Sequence, residues 1–445
     1  MRHLLHIALI AGLTPLALLA CGEAASDAET DAGPTPPSAP PTSSVPEVRA
    51  DADRDETRPL TDTALGAVVA GQNTFGLEFY RALAASEAGN LFCSSLSAHQ
   101  ALSMAYAGAR GETRAAMAGT LHAVDDDEAY HGAQNTLAQA VLAPPSEGSL
   151  PEGEPAPLLR LQNALFPQEG FAIDGAYLER LAKSYGAGAF PVDYRHDAEA
   201  ARGTINTWVS EVTAGRIPEL LVPGQVGEGT VLTLVNAVYF LGKWSEAFLP
   251  ESTFEQTFHT ASGDADVAFM HHTFESLSAA ITPEFTAVSL PYAGGELSFL
   301  ALQPVGDLRA FEDSLTDATL AGALAALTLA PTQLAMPSFE LRSRYSLKPM
   351  LETLGMGVAF SDAADFHGIC PDFDLKISEV VQEAWVKVDE SGTEAAAATA
   401  IVFDAGAAPE PEPIRSVSLD RPFVFVIRHE PTGAVIFMGR VADPR

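Results

Sequence analysis

Side chains able to bind a metal or carry out catalysis are few in this sequence and poorly placed for either task. His271 and His272 are adjacent, and adjacent side chains diverge on a strand and do not share a helix face, so we expect no metal site there. The acidic run Asp125–Glu128 lacks the ligand spacing of a calcium loop and is interpreted as a solvated loop. The sequence contains no G-x-S-x-G nucleophile elbow, no G-x-x-x-x-G-K-[ST] phosphate loop and no H-E-x-x-H metal motif. We therefore expect no cofactor, no metal and no familiar enzyme active site.

The stretch DESGTEAAAATAIVFDAG, Asp389–Gly406, has an unusual pattern of period two. One face carries the uncharged residues Thr393, Ala395, Ala397, Thr399, Ile401 and Phe403. The other face carries Glu394, Ala396, Ala398, Ala400, Val402 and Asp404, and so holds both charges. This pattern predicts a strand that buries one side, although the side chains available for burial are mostly small.

The composition is that of a globular protein with a strongly acidic surface. Hydrophobic residues make up 47% of the chain and 23 phenylalanines are available for a core. The formal net charge of -33 argues against a nucleic-acid partner, because phosphate binding needs clustered lysine and arginine. Of the three cysteines, Cys93 and Cys370 form either a disulfide or two buried free thiols, and we favour the free thiols.

The N-terminal residues predict export rather than a folded element. A basic start and an apolar run end in Leu-Leu-Ala before Cys21, which resembles the lipobox of bacterial lipoproteins. The alternative is ordinary signal-peptide cleavage beside an incidental cysteine. We expect residues 1–20 to be a signal peptide, and residues 21–59 to comprise a lipidated Cys21 and a disordered, acidic, Pro/Ser-rich tether. No later stretch has the ~20 apolar residues of a spanning helix.

Residues 60–445 are expected to form the folded domain. Apolar residues at helical spacing predict an early helix around Phe75–Leu83, a second one that begins at Ser94 or Ser97, and a third over Ile205–Leu221. The almost uninterrupted apolar run Thr230–Phe240 predicts a central strand that is covered on both faces. Because helices cluster early and strands late, the fold class is predicted to be α+β.

Six blocks along the chain together resemble the serpin family. They are Asn90–Met117, Ile205–Leu221, Thr230–Phe248 with its NAVYFLGKW, Leu354–Ile369, Val388–Val402 and the C-terminal pair Val417–Ile427 and Pro431–Pro444. The match runs in order from about Leu65 to Pro444 with few insertions. The resemblance implies the serpin fold: helices clustered N-terminally around large mixed and antiparallel sheets, with an exposed reactive-centre loop.

The resemblance also implies an inhibitory mechanism and explains the small side chains. In serpins a target protease cleaves the reactive-centre loop, which then enters an existing sheet as a new strand and traps the protease covalently. A strand that enters between two others needs a small, uncharged face, because a buried unpaired charge is costly and packed cores resist added volume. The hinge of this movement is expected at Glu390, Gly392, Thr393, Glu394, Ala395, Ala396, Ala397, Ala398 and Thr399.

The family pattern also locates the bond that is cut. The scissile residue usually lies about fourteen positions after the hinge glycine, which points to Gly406–Ala407, with a register uncertain by a few residues. Small side chains around this bond predict an elastase-like or subtilisin-like target. A trypsin-like target is disfavoured because no lysine or arginine lies between Glu394 and Arg415, whereas Phe403 leaves a chymotrypsin-like cut open.

Other residues match positions that control sheet opening in the family. Ser94 and Ser97 match the shutter serines, Asn236 matches the asparagine on the neighbouring strand, and Trp244 matches the tryptophan where the loop enters. The sequence departs from the pattern at Ser95, in place of the usual proline, at Gln382, in place of the shutter histidine, and at Glu383, in place of the lysine that follows. Glutamine donates and accepts hydrogen bonds as histidine does, but it does not titrate.

The sequence-based hypothesis is a suicide inhibitor and not an enzyme. Its partner would be a serine or cysteine protease in a covalent one-to-one complex with a monomeric serpin, anchored by lipid to the bacterial envelope. Gly22 after the cysteine favours the outer membrane. The main alternative is a non-inhibitory serpin with a binding or protective role at the cell surface; a lipid-anchored enzyme of unfamiliar fold and an adhesin are the others. The hinge, which has no proline between Gly392 and Ala408, favours inhibition.

Overall fold

The computed structural model describes residues 43–146, 149–150, 156–393 and 413–445. Its helices are α1 Thr63–Ser86, α2 Ser95–Tyr106, α3 Gly111–Leu121, α4 Asp127–Leu142, α5 Gly175–Tyr185, α6 Tyr194–Val212, α7 Leu308–Asp313, α8 Asp317–Ala326 and α9 Lys348–Leu351. Its strands are β1 Leu91–Cys93, β2 Leu158–Pro167, β3 Leu232–Lys243, β4 Thr253–Thr260, β5 Gly263–Ile281, β6 Phe285–Pro291, β7 Leu297–Pro304, β8 Thr328–Pro337, β9 Phe339–Ser346, β10 Glu379–Asp389, β11 Gly392–Thr393, β12 Arg415–Ser418, β13 Phe423–His429 and β14 Ala434–Val441. Within these residues no helix has the length and apolar character needed to cross a membrane.

The strands form two sheets. Sheet A has the order β2-β3-β11-β10-β9, and sheet B has the order β1-β14-β13-β7-β6-β5-β8-β12 with β4 paired to β5. In sheet A, β3 and β10 also pair directly and in parallel, while β2, β9 and β11 are antiparallel to their neighbours. The predicted α+β class with mixed sheets is confirmed.

Helices cover both faces of sheet A. On one face α2 contacts β2 and β3, and its N-cap is Ser94, whose hydroxyl accepts a hydrogen bond from the backbone N–H of Ser97. The structure thus selects Ser94 from the two serines that the sequence offered as the start of this helix. On the other face α6 contributes Trp208 and Val209 to an apolar cluster with Phe166 of β2. Because both faces are covered, nine of the twelve residues of β3, starting at Leu232, are buried without a break.

Several element boundaries differ from those predicted. The run Asp125–Glu128 is not a solvated loop, and that prediction was wrong: the carboxylate of Asp126 caps α4 by accepting the N–H of Ala129, and the next two acidic residues form the first turn. Helix α6 begins at Tyr194 and ends at Val212, so the helix predicted from Ile205 starts earlier and stops sooner. Cys93 and Cys370 are both buried free thiols.

Residues 43–59 differ most from the prediction of a tether. The hydroxyls of Ser43 and Ser44 donate to Glu211, and Val45 is buried in the cluster under α6. Val48 exchanges two backbone hydrogen bonds with Ala189. The polar composition of this segment did not predict these contacts, because backbone pairing and polar side-chain contacts require few apolar residues.

Candidate functional site

The start of the predicted hinge lies inside sheet A. Gly392 and Thr393 form β11, which pairs antiparallel with β10 through Val388 and Asp389 on one side and with β3 through Gly242 and Lys243 on the other. Gly392 has φ +148, and a Cβ atom there would lie 2.1 Å from the carbonyl oxygen of Gly242. Only glycine fits this backbone and this close approach.

Thr393 is fully buried in a group of aromatic side chains. Its hydroxyl lies 2.9 Å from that of Tyr292, and the Tyr292 ring stacks on Trp244 with centroids 4.7 Å apart. Burial raises the pKa of the Tyr292 phenol, so this phenol stays protonated and is able to donate to Thr393. The first residue after the hinge glycine is therefore already seated in the core.

The turn before the hinge is held by backbone and side-chain contacts. The indole N–H of Trp244 donates to the carbonyl oxygen of Asp389 at 2.9 Å, and its backbone N–H donates to that of Ser391 at 2.9 Å. Thr253 donates to the carboxylate of Glu390 at 2.7 Å. Burial raises the pKa of Asp389, which accepts the backbone N–H of Ser391. We call Trp244, Tyr292, Asp389, Gly392 and Thr393 the hinge cluster.

A second polar group joins β3 to β10 in the middle of sheet A. The amide of Gln382 donates to the side-chain oxygen of Asn236 at 2.6 Å and to the carbonyl oxygen of Ser94 at 2.8 Å, and it accepts the backbone N–H of Ser94 at 3.0 Å. The amide of Asn236 donates to Ser97 and to Asn163. Ser94, Ser97, Asn163, Asn236 and Gln382 form what we call the shutter network, and none of them carries a charge.

The opposite face of the same seam holds charged side chains. Glu383, which is buried, pairs with Arg342 at 2.6 Å and with Arg344 at 2.9 Å, both from β9. Arg216, in the segment after α6, lies over the rings of both Tyr239 and Trp385, at 5.3 and 5.8 Å from their centroids. Tyr239 and Trp385 are paired residues of β3 and β10, so one guanidinium spans the seam.

The structure therefore separates the predicted site residues into two groups. Trp244, Gly392 and Thr393 belong to the hinge cluster, with Glu390 beside it, whereas Ser94, Ser97, Asn236 and Gln382 belong to the shutter network. The remaining predictions, at Cys21, Glu394, Ala395, Ala396, Ala397, Ala398, Thr399, Gly406 and Ala407, lie outside the described residues.

Several contributing residues were missed by the sequence analysis, among them Asn163, Tyr292, Arg216 and Asp389. Asn163 is the partner of Asn236 in the register of β2 and β3, and no local signal set it apart, because Arg160 and Gln162 are polar residues of the same strand. Tyr292 and Arg216 each lie far along the chain from the residues they contact, and nothing in their own neighbourhood points to the seam. Among the described residues there is no group of three or more His, Cys, Asp or Glu side chains able to hold a metal ion.

Comparison with known proteins identifies the architecture. The family model for Serpin (serine protease inhibitor) matches residues 70–444. The chain belongs to the serpin family. Members of this family are protease inhibitors rather than catalysts, so a protease is the expected kind of partner.

Similar serpins come from distant organisms. The chain is 36% identical to the leukocyte elastase inhibitor of Sus scrofa over 387 residues, covering 84% of this chain and 99% of that protein. It is 35% identical to an uncharacterized serpin-like protein of Thermococcus kodakarensis, covering 85% of this chain and 86% of that protein. Among solved structures, the thermophilic serpin tengpin in its native state superposes with a TM-score of 0.78 at 26% identity, covering 90% of this chain and all of that one.

Proposed function

We propose that this serpin inhibits a serine protease by covalent trapping, through insertion of its cleaved loop between β3 and β10. The observation that carries the proposal is the position of β11, which already pairs with both of these strands. The segment that follows Thr393 in the sequence has an uncharged face whose first residues, Ala395, Ala397 and Thr399, are small. Such a segment can extend β11 along the seam without burying a charge.

The catalytic groups in this reaction belong to the protease. Its serine attacks the scissile carbonyl, an ester bond forms, the peptide bond breaks, and the new amino terminus leaves. The serpin contributes the strand that moves while the ester persists. Residues Glu379–Trp385 pair directly with Thr233–Tyr239, so β3 and β10 must part before the strand can advance.

The exchange of strand pairings supplies a driving force. Insertion replaces one parallel pairing between β3 and β10 by two pairings with a strand that β11 sets antiparallel to both. Antiparallel pairs are slightly more stable per residue than parallel ones, and the number of ladder hydrogen bonds rises. The bond between Gln382 and Asn236 and the contacts of Arg216 oppose this opening until the loop is cut.

The target is proposed to accept a small residue near Gly406, as elastase-like and subtilisin-like enzymes do. Arg415, the first basic residue after the hinge, is held in β12, where its guanidinium donates to the carbonyl oxygens of Leu277 and Ala279 at 2.7 and 2.5 Å. A trypsin-like protease would have to withdraw this side chain from the sheet. This contact supports the choice of a small residue at the cut.

The experiment mixes the protein with elastase-like, subtilisin-like and chymotrypsin-like proteases. Products are resolved on a denaturing gel, and the cut is assigned by mass spectrometry. We expect a band at the summed mass of the two proteins, with cleavage near Gly406. Cleavage in the loop without that band for every protease would favour the non-inhibitory alternative. Cleavage after Phe403 or Arg415 would overturn the proposed specificity while leaving the trapping mechanism intact.

We also propose that the serpin is a monomer attached to the bacterial envelope, at the outer membrane, through a lipid on Cys21. The proposal rests on the apolar leader, on Cys21 and on Gly22. Labelling with a radioactive fatty acid in a bacterial host should mark the wild type and not Cys21→Ser. Equal labelling of both would contradict the anchor, and light scattering of the protein before and after reaction tests the one-to-one stoichiometry.

A further inference from the structure

A cavity of about 390 Å³ lies at the side of sheet A, away from the seam. Its floor is β2, the edge strand of sheet A, and its walls come from α2, α4 and the turn after α5, with Arg54 at its border. The volume falls in the range of small-molecule sites, which is about 300–1,000 Å³.

The charges around this cavity are unusual for the protein. Two arginines, Arg54 and Arg160, line it, and none of its lining residues is aspartate or glutamate. The whole chain has a formal net charge of -33, so a lining that is only positive stands out. The larger cavity near the end of α1 differs, because it contains Glu87, Asp307 and Glu312 beside its arginines.

Two hydrogen-bond donors at this cavity have no partner among the described residues. One is the side-chain nitrogen of Gln100, a residue that is only 5% exposed, and the other is Nε of Arg160. Leaving a buried donor without an acceptor is unfavourable, so such groups in native proteins usually bond to a water molecule or a ligand. Both unpartnered groups are donors, so a ligand that bonds to them must carry a hydrogen-bond acceptor.

Arg54 adds a positive charge that no acidic side chain of the cavity neutralises. Its Nε donates to the neutral side-chain oxygen of Asn135 at 2.7 Å. Burial, and the like charge of Arg49, lower the pKa of Arg54. A bound anion would relieve this repulsion and restore the charge balance.

We propose that this cavity binds a small organic carboxylate. The carboxylate would accept hydrogen bonds from Gln100 and Arg160 near Arg54, while a short apolar tail would contact Met104, Leu142 and Leu159, which also line the cavity. A carboxylate with an apolar tail matches both parts of the lining, whereas inorganic phosphate matches only the donors.

The cavity wall is continuous with the shutter network. Asn163 lines the cavity, and its side-chain oxygen accepts hydrogen bonds from Ser97 and Asn236. A ligand that binds the folded protein and not the unfolded chain raises the free energy of unfolding. Ligand binding here should therefore stabilise the protein and its closed sheet together.

The test measures binding of octanoate and of inorganic phosphate to the full chain by calorimetry, with the shift in Tm as a second readout. Variants are Arg160→Gln and Arg54→Gln, and the matched control is Arg445→Gln, an exposed arginine paired with Asp443. We expect one octanoate per chain, affinity lowered at least about tenfold in Arg160→Gln, and no change in Arg445→Gln. If Arg160→Gln fails to fold, Arg54→Gln should show the same loss.

Three results would overturn the proposal. The first is no octanoate binding and no Tm shift at millimolar concentration. The second is equal affinity of the wild type and both cavity variants, which would place the binding elsewhere. The third is phosphate binding as tightly as octanoate, which would remove the role of the apolar wall.

Discussion

Two regions of the β3–β10 seam, one at its end and one at its middle, differ in what lies between the strands. At the hinge cluster β11 already separates β3 from β10, and the contacts there are made by rings, a glycine and a buried threonine. At the shutter network the two strands pair directly and neutral amides bridge them. Under the proposed trapping mechanism, the first region has the geometry of the inserted state and the second has that of the closed state. Trapping would then require the second region to adopt the geometry of the first, so each region can be perturbed separately.

The largest effect is expected from a charge in the hinge cluster. Thr393→Arg places an unpaired charge in a fully buried site, which costs several kcal/mol, so the loop should be cleaved without trapping. The ratio of cleaved to trapped serpin on a denaturing gel should rise more than about tenfold. Thr393→Val, which removes only the hydroxyl, is the control and should retain trapping. Equal trapping by the arginine variant would contradict the seated hinge.

The hinge glycine should be the next most sensitive position. Gly392→Ala introduces a Cβ atom where only 2.1 Å is available and forces a strained φ, so the free energy of unfolding should fall by about 3 kcal/mol. Denaturant unfolding measures the change. Gly227→Ala, at a glycine with open space around it, should change stability by less than about 0.5 kcal/mol. Similar losses in both variants would argue against a special role for the hinge backbone.

The shutter network is expected to contribute less than the hinge glycine. Asn236→Ala removes the acceptor of Gln382 and the donor to Ser97, and the stranded groups should lower the free energy of unfolding by about 2 kcal/mol. The loss is measured by urea unfolding, with Asn73→Ala as a comparison, since Asn73 bonds the backbone of Gly433 and of Val435 in β14 and does not contact the seam. Unchanged stability in Asn236→Ala would mean that the network does not hold the seam.

On the face of sheet A opposite the shutter network, Arg216 lies over the rings of Tyr239 and Trp385. This position should stabilise the seam by about 1 kcal/mol. Arg216→Gln should speed the loss of the inhibitory form during incubation at raised temperature, because the strands part more easily. The measurement is residual trapping activity over time. Arg195→Gln, which removes a cation over the ring of Phe171 away from the seam, should leave that rate unchanged.

The smallest effect concerns pH and separates the titratable hinge cluster from the neutral shutter network. The pKa of Asp389 is raised in the folded state, so at neutral pH its ionised form opposes folding, and this penalty is relieved as pH falls through the raised pKa. At neutral pH the free energy of unfolding of Asp389→Asn should exceed that of the wild type by less than about 1 kcal/mol, since the side chain is partly exposed. The gain, measured by urea unfolding against pH, should shrink on acidification.

The carboxylate Oδ2 of Asp389 lies 3.5 Å from Nζ of Lys387, so Asp389→Asn also removes an ion pair. Lys387→Gln removes the same ion pair without removing the carboxylate, and it should not reproduce the gain. A gain in Asp389→Asn that is constant from neutral to acid pH would contradict the raised pKa.

Local pattern was enough to predict much of the molecule. The apolar run of β3 predicted a central strand, a helix was predicted to begin at Ser94 or Ser97, and the early helices with late strands predicted the α+β class. The ordered blocks from Asn90 to Pro444 led to the family. Gly392 was predicted as the hinge glycine because its neighbours in sequence carry the family pattern.

Position in space was decided only by the tertiary structure. The sequence placed Thr393 on an uncharged face, but whether it lies in solvent or in the core depends on Tyr292, which is 101 residues away. Likewise the composition of residues 43–59 predicted a tether, whereas the structure shows backbone pairing of Val48 with Ala189 and contacts of Ser43 and Ser44 with Glu211. Side-chain periodicity reports which face of a segment can be buried, because it follows from local geometry. It does not report which distant group buries that face, since this depends on how the whole chain folds.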